Sequence, residues 1–150
     1  MRVVVQRVSK AAVVIAGEEV ARIARGLFVL AGIEVGDTAA DPDWLAGKLA
    51  ALRIFPDELG RMNKNVGEIE GRILVVSQFT LHAATAKGNR PGFTRAARPE
   101  EAVPLYEKFL TALQQETGHR PERGVFAADM QVSLVNDGPV TILIDSRAKE

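Results

Sequence analysis

Cysteine is absent from this chain of 150 residues, and histidine occurs only twice, at His82 and His119. The absence of cysteine excludes disulfide bonds, thiol nucleophiles and thiolate metal sites, and it is compatible with a reducing compartment. Because the two histidines lie far apart in sequence, a histidine-rich zinc site is disfavoured and a Ser-His-Asp triad has few candidate bases. The composition therefore predicts a protein without metal or cofactor.

Signal-like and membrane-spanning segments are also missing. The first residues lack the charged, apolar and small-residue regions of a signal peptide. No apolar run approaches the roughly 20 residues needed to cross a bilayer. The formal net charge is zero, which disfavours a protein that coats nucleic acid by bulk electrostatics. We expect one cytoplasmic domain over residues 1–150 that buries about two-thirds of its unfolded surface and has no membrane or DNA partner.

Charge is unevenly distributed along the chain. Between Gly71 and Pro99 there is no Asp or Glu, but there are five basic residues: Arg72, Lys87, Arg90, Arg95 and Arg98. From Ala83 onward this stretch is rich in small residues, glycine and proline, which is typical of a long surface loop. Two interpretations are open. Acidic residues elsewhere balance the loop in space, or the loop faces phosphate groups.

Apolar periodicity predicts a single α+β domain with a curved, mainly antiparallel sheet and two helices, since strands outnumber helices. The predicted strands are Arg2–Val8, Ala11–Ile15, Glu18–Ile23, Leu27–Ile33, Ile73–Val76, Val125–Phe126, Met130–Val135 and Val140–Ile144. One predicted helix begins at Asp41 and ends before Pro56, and the other covers Pro99–Thr117. The strand Ile73–Val76 does not alternate, which indicates burial on both faces. Residues 146–150 are predicted to form a frayed polar tail.

A polar run, Ser77-Gln78-Phe79-Thr80, follows the continuous apolar strand and is the first candidate site. If the strand continues past Phe79, then Gln78, Thr80 and His82 share one face, because side chains alternate along a strand. The Thr80 hydroxyl can act as a nucleophile only if an adjacent base takes its proton, and His82 is the nearest candidate. A lone histidine at a strand end is more often structural, so both interpretations of His82 stay open.

A second polar run, Asn136-Asp137-Gly138-Pro139-Val140-Thr141, separates two β-branched apolar runs near the C-terminal end. An ordinary hairpin turn is the usual structure at such a position. Proline cannot donate a ladder hydrogen bond, so the second strand is expected to begin at or just after Pro139. Only about one X-Pro bond in twenty is cis in folded proteins, which favours a trans turn when this run is considered alone.

Together the two polar runs resemble the signature pair of the D-aminoacyl-tRNA deacylases of the D-tyrosyl-tRNA deacylase type. Supporting segments in matching order are Val5-Gln6-Arg7-Val8, Leu52-Arg53-Ile54-Phe55, Met62-Asn63 and Phe126-Ala127-Ala128-Asp129-Met130. The resemblance spans nearly the whole chain. It implies a barrel-like sheet, a homodimer, and hydrolysis of the ester that joins a D-amino acid to the terminal adenosine of tRNA.

The resemblance also implies roles for individual residues. The implied catalytic group comprises Ser77, Gln78, Phe79 and Thr80. The implied substrate-binding and chiral-filter group comprises Arg7, Phe126, Met130, Gly138 and Pro139. Within this group, Gly138-Pro139 is expected to be cis and to enter the site of the partner subunit, while Arg7 steadies it. Contacts with tRNA are implied for Lys87, Arg90 and Arg95. Departures from the family pattern at Ala84, Ala86 and Gly92 affect the expected strength of these tRNA contacts.

The expected selectivity has a simple physical basis. Pockets for side chains cannot distinguish the two hands of many different amino acids, but a backbone element placed against Cα can exclude an L side chain. Such a filter cannot exclude glycine, which has no side chain, so glycyl-tRNA is an expected substrate.

Alternatives remain for both the mechanism and the function. Thr80 can act as nucleophile, or the neighbouring ribose hydroxyl of tRNA can assist while main-chain amides bind the oxyanion; we favour the second route. The rival functions are a non-catalytic RNA-binding module and a hydrolase of small esters with a threonine nucleophile.

Overall fold

The computed structural model describes residues 1–149, which contain eight β-strands and two α-helices. The strands are β1 (Arg2–Ile15), β2 (Glu18–Ile23), β3 (Gly26–Gly32), β4 (Phe55–Pro56), β5 (Met62–Lys64), β6 (Arg72–Ser77), β7 (Glu122–Arg123) and β8 (Gln131–Asp145). The helices are α1 (Ala40–Ala51) and α2 (Pro99–Thr117), and a short 3₁₀ helix, Phe79–His82, follows β6. No helix among these residues is long and apolar enough to cross a membrane.

Six strands form one curved sheet that is nearly closed into a barrel, in the order β2-β1-β3-β6-β7, with β8 along β1. Strand β1 pairs antiparallel with β2, β3 and β8, whereas β6 lies parallel to both β3 and β7. The predicted single α+β domain, with a mainly antiparallel sheet and two helices, is therefore confirmed.

Both faces of the central strand β6 are buried, as its continuous apolar sequence predicts. Ile73 and Val75 belong to the cluster that includes the apolar residues of α1 and α2. Leu74 and Val76 belong to a second cluster, formed with residues of β1, β2 and β3. This double burial fixes β6, and it therefore also fixes the polar run that follows Ser77.

The hairpin expected near Gly138-Pro139 is wrong, because β8 is one strand that passes through this pair. The residues before the pair and those after it both pair with β1, from Gln131 opposite Val14 to Asp145 opposite Arg2. The register shifts where the Gly-Pro pair lies, and the Gly138-Pro139 peptide bond is cis. The predicted break in β1 is also absent. In both strands a long-range partner keeps the chain extended where local turn signals suggest an interruption.

The predicted strand Val125–Phe126 is also wrong. The pairing with β6 occurs earlier, at β7, and the last main-chain bond to β6 is donated by Gly124 to the Val75 carbonyl at 3.0 Å. The chain then turns, with the Ala128 amide donating to the Val125 carbonyl and Ala127 at φ +62°. This turn carries Phe126 away from the sheet ladder.

The predicted polar tail begins with an anchored residue. Ser146 is buried, and its hydroxyl donates a 2.6 Å hydrogen bond to the Asp41 carboxylate at the start of α1. Lys149 lies over the indole of Trp44, 4.5 Å from the ring centroid. The expectation of fraying is therefore wrong at Ser146, and for Glu150 it falls outside the described residues.

Candidate active site

A cavity of about 620 Å³ lies where β6 ends, between the start of α2 and the turn that leads into β8. Its polar lining residues are Ser77, Gln78 and Arg98, and its apolar lining includes Ala31, Ile33, Val76, Phe79, Phe93, Phe126, Met130 and Val132. One wall is an aromatic pair, in which Phe79 and Phe93 pack edge to face with ring centroids 5.0 Å apart. A mostly apolar cavity with a few polar groups at one end is typical of a small-ligand site.

The chain leaves β6 by turning sharply at the cavity. The Gln78 amide still donates to the Ala31 carbonyl of β3 at 2.8 Å, and the chain then enters the 3₁₀ helix Phe79–His82, which we call the Thr80 turn. The strand therefore ends at Ser77, and the expected shared face of Gln78, Thr80 and His82 is wrong. Gln78 and Thr80 still meet, because Nε2 of the Gln78 side chain donates a 2.5 Å hydrogen bond to the Thr80 hydroxyl. His82 instead points into the protein and is fully buried.

Thr80 has no base beside it among residues 1–149, since its hydroxyl is hydrogen-bonded only to the side-chain amide of Gln78. A hydroxyl that accepts this bond retains its own proton for donation. Tyr106 lies behind Phe126, with ring centroids 5.8 Å apart, but burial raises the pKa of its hydroxyl, which donates to the Val75 carbonyl. The geometry therefore suits Thr80 for orienting a substrate better than for attacking one.

The wall opposite the Thr80 turn comes from the segment before β8. Phe126 packs on Tyr106, and the Met130 sulfur occupies space beside Gly124, only 2.5 Å from where a Cβ at Gly124 would lie. A side chain at Gly124 would therefore displace Met130 from the cavity wall. The structure thus brings Phe126 and Met130 together with Ser77, Gln78 and Phe79 around one cavity.

Gly138-Pro139 lies elsewhere on the surface of the same chain. Val132 lines the cavity, and Gly138 follows six residues later on β8, which places it roughly 20 Å further along the strand. Arg7 holds the segment, since its Nε donates to the Asp137 carbonyl at 2.8 Å and its Nη1 donates to the Ile54 carbonyl at 2.7 Å. Neither Gly138 nor Pro139 is among the residues that line the cavity of the same subunit.

The basic stretch between Gly71 and Pro99 divides into three parts. Arg95 is balanced, because its Nε donates at 2.8 Å to the buried Glu34 carboxylate. Lys87 and Arg90 are exposed and form no ion pair with any residue in 1–149. Arg98 lines the cavity, whereas Arg72 lies at the opposite end of β6 beside a second cavity of about 310 Å³. The balancing interpretation therefore holds for Arg95 but not for Lys87 and Arg90, and the phosphate-facing interpretation stays a prediction.

Two residues that support the Thr80 turn are not identifiable from the sequence. Arg2 on β1 donates a 2.8 Å hydrogen bond to the Leu81 carbonyl and forms an ion pair with Asp145. Glu34, just after β3, accepts a hydrogen bond from Arg95 through one carboxylate oxygen, and its other carboxylate oxygen lies 4.0 Å from His82 Nδ1. Their partners are dozens of residues away along the chain, so no local pattern could have indicated them.

Glu34 leads to a prediction about acid stability. Burial alone would raise the pKa of Glu34, but the hydrogen bond and charge of Arg95, together with the charges of His82 and Arg147, hold that pKa below its usual value of 4.5. A carboxylate whose pKa is lower in the folded state stabilises the fold above pH 4.5, and this contribution is lost as the pH falls further. We expect the free energy of unfolding to fall below pH 4.5 with a shallower slope in Glu34→Gln than in wild type.

Urea unfolding between pH 3 and pH 6 measures this slope. Glu18→Gln is the matched control, because Glu18 is exposed and forms no ion pair within residues 1–149. Its slope should equal that of the wild type. Equal slopes for wild type and Glu34→Gln would contradict the assignment.

Comparison with known proteins identifies the family of this chain. The family model described as D-Tyr-tRNA(Tyr) deacylase matches residues 4–145. A protein of Akkermansia muciniphila named D-aminoacyl-tRNA deacylase is 61% identical over 150 residues, with both chains fully covered. Proteins of the same name from Opitutus terrae and Cytophaga hutchinsonii are 58% and 57% identical, again over 150 residues and with full coverage of both chains.

Two solved structures share the fold. One, described as c-Myc DNA Unwinding Element Binding Protein, is 42% identical, has a TM-score of 0.93, and is matched over 99% of this chain and 100% of that chain. The other, described as a probable eukaryotic D-amino acid tRNA deacylase, has a TM-score of 0.85 over 95% of this chain and 97% of its own; at 18% identity it supports the fold alone. From the family match across nearly the whole sequence and the full-length relatives, it follows that this chain belongs to the D-tyrosyl-tRNA deacylase family and is a hydrolase that cleaves the ester bond of D-aminoacyl-tRNA.

Proposed function

We propose that this enzyme removes D-amino acids and glycine from tRNA in the cytoplasm, and that each active site combines the cavity of one subunit with Gly138-Pro139 of the partner subunit. One observation carries the proposal: three of the four candidate catalytic residues, Ser77, Gln78 and Phe79, line the cavity and Thr80 follows them, whereas neither Gly138 nor Pro139 of the same chain lines it. A two-fold dimer brings two such separated features together twice.

The Gly138 segment is suited to act as a rigid filter. Gly138 has φ +143°, and a Cβ there would lie 2.8 Å from the Val140 side chain and 3.0 Å from Arg7 Nη2. The Asn136 side chain accepts a 2.9 Å hydrogen bond from the Val140 amide, so the chain is held on both sides of the pair. A backbone element fixed in this way can press against Cα of a substrate and leave no room for an L side chain.

Exposed apolar residues at the cavity and on β8 support the dimer. Phe79 is 56% exposed, Val132 38% and Val135 45%, and the latter two lie on β8. Within residues 1–149, β8 pairs only with β1, so its outer edge is open. Open strand edges and grouped apolar side chains are the usual features of a surface that another chain covers.

The chemistry we propose is assisted by the substrate. The main-chain N–H groups of Phe79 and Thr80 are the first two of the Thr80 turn. Within residues 1–149, neither donates to an acceptor outside that turn, so both can donate to the developing oxyanion. Gln78 and Thr80 orient the acyl group. Water attacks the ester carbon, the bond to the ribose oxygen breaks, and that oxygen takes a proton. The neighbouring ribose hydroxyl supplies the proton path that no side chain beside Thr80 supplies.

Lys87 and Arg90 are proposed to contact the tRNA backbone, since both are exposed and lack ion pairs within residues 1–149. Arg95 can join them only by exchanging its bond to Glu34.

The function is tested by comparing matched D-tyrosyl-, L-tyrosyl- and glycyl-tRNA. We expect release of D-tyrosine and glycine. The L ester should be cleaved at least about 100-fold more slowly than the D ester, because a clash worth about 2.7 kcal/mol at Cα gives that ratio. The measurement is release of labelled amino acid, with a reaction lacking enzyme as control for spontaneous hydrolysis. Equal release from both tyrosyl esters would refute the filter, and complete resistance of glycyl-tRNA would refute exclusion by clash alone.

A further inference from the structure

His82 occupies an unusual position for a titratable side chain. It is fully buried, and neither of its ring nitrogens has a hydrogen-bond partner in residues 1–149. Nearly all buried polar groups in proteins are hydrogen-bonded, so an exception requires a physical explanation. His82 is also the last residue of the Thr80 turn.

Within residues 1–149, the Glu34 carboxylate is the one that approaches the His82 ring. Oε2 of Glu34 lies 4.0 Å from His82 Nδ1, while Oε1 of the same carboxylate accepts a hydrogen bond from Arg95 Nε at 2.8 Å. Arg147 Nη1 lies 3.4 Å from Oε2 and shares that side of the carboxylate. Glu34 therefore stands between the buried histidine and a cation of the basic stretch.

Backbone packing fixes the other side of the ring. At Gly32, the last residue of β3, an added Cβ would lie 3.1 Å from His82 Cδ2 and 2.8 Å from the Gln78 carbonyl oxygen. The absence of a side chain at Gly32 therefore leaves the space that the imidazole fills. The ring is packed between the end of β3 and Glu34, directly beneath the turn that carries Thr80.

We propose that His82 is a positioning residue for catalysis, which fixes the Thr80 turn from below and links it through Glu34 to Arg95. His82 does not act as the base, because it is buried and forms no hydrogen bond to Thr80. It sets the direction of the Thr80 hydroxyl and of the first amides of the turn. The inference rests on the catalytic role proposed above for this turn.

The link to Arg95 gives this arrangement a functional consequence. The Arg95 side chain is 54% exposed, so a phosphate group can reach its guanidinium, whereas the Glu34 side chain is only 9% exposed. If Arg95 moves away to a phosphate, another group must interact with the buried Glu34 carboxylate. His82 is the nearest candidate besides Arg147. Contacts made by the basic stretch are thereby transmitted to the Thr80 turn.

The test uses D-tyrosyl-tRNA and the full-length enzyme with His82→Leu, His82→Gln, Glu34→Gln and the double variant His82→Leu/Glu34→Gln. We expect His82→Leu to lower kcat about tenfold with KM changed less than about twofold, because substrate contacts are kept while the turn is displaced. His82→Gln retains a donor toward Glu34 and should restore kcat to within about threefold of wild type. His119→Leu, at the other, exposed histidine, is the matched control and should match wild type.

The double variant tests the link itself. If His82 and Glu34 act as one unit, the kcat of the double variant should be no lower than that of the less active single variant. If their roles are independent, the two losses in kcat should multiply. An unchanged kcat in His82→Leu, multiplied losses, or equal losses in His82→Leu and His82→Gln would overturn the proposal.

A surface variant keeps the test decisive if His82→Leu does not fold. Arg95→Met removes the far end of the link, and we expect its kcat to fall with little change in KM. An unchanged kcat there would also overturn the proposal. Wild-type release of D-tyrosine in the same assay separates this outcome from failure of the proposed function.

Discussion

A heterodimer of two inactive subunits should regain deacylase activity. We expect Gly138→Val to abolish cleavage, because a side chain there meets Val140 and Arg7, and Gln78→Trp to abolish it by filling the cavity. In a dimer with one subunit of each kind, one site combines an intact cavity with an intact Gly138 segment. That heterodimer should have about half the wild-type activity, whereas each homodimer should have less than about 1%.

The reciprocal heterodimer is the control for this prediction. If both substitutions lie in one subunit and none in the other, each site receives one defect, and the heterodimer should be inactive. Sites formed within single subunits would give the opposite pattern, with the first heterodimer inactive and the second half-active. Purification through two different affinity tags, followed by release of D-tyrosine from tRNA, distinguishes the two arrangements.

Removing one oxygen from the substrate should affect the rate more than removing the Thr80 hydroxyl from the enzyme. Because no base contacts Thr80 in residues 1–149, the ribose hydroxyl beside the ester is expected to organise the attacking water. We expect a D-tyrosyl-tRNA whose terminal adenosine lacks that hydroxyl to be cleaved at least about 100-fold more slowly, since well-placed intramolecular groups contribute effects of this size or larger. Thr80→Ala should reduce the single-turnover rate by less than about tenfold.

Single-turnover release at saturating enzyme measures both effects without interference from product dissociation. Thr80→Val is the matched variant, because it keeps the branched shape of threonine and removes only the hydroxyl. A Thr80→Ala enzyme that loses all activity while the modified tRNA reacts normally would establish threonine as the nucleophile and exclude the substrate-assisted route.

The sequence predicts the architecture well where the relevant interactions are local. The apolar strands between glycine turns that become β2 and β3, the helical spacing in α2 and the continuous apolar run of β6 each identify an element that the structure contains. The polar run after β6 also identifies the cavity, because a strand buried on both faces must deliver its next residues to a surface.

The errors share one cause, which is pairing between residues distant in sequence. Gly138-Pro139 has the signals of a hairpin, but β1 is already present to pair with the chain on both sides of it. His82 continues the alternation of a strand, but Gly32 opens a space beneath it and the chain coils into the Thr80 turn. Arg2 and Glu34 lack any local signal, because their roles arise only once the barrel has closed.

The length of β1 also has a consequence for how the molecule folds. β1 is a 14-residue strand near one end of the chain, and its full-length partner β8 follows every other strand, so Arg2 pairs with Asp145. Pairings of such large sequence separation are slow to form. While β8 is still being synthesised, one edge of β1 has no partner and can pair with another chain. Chaperone demand and aggregation of this protein should therefore depend on how quickly its last strand reaches its first.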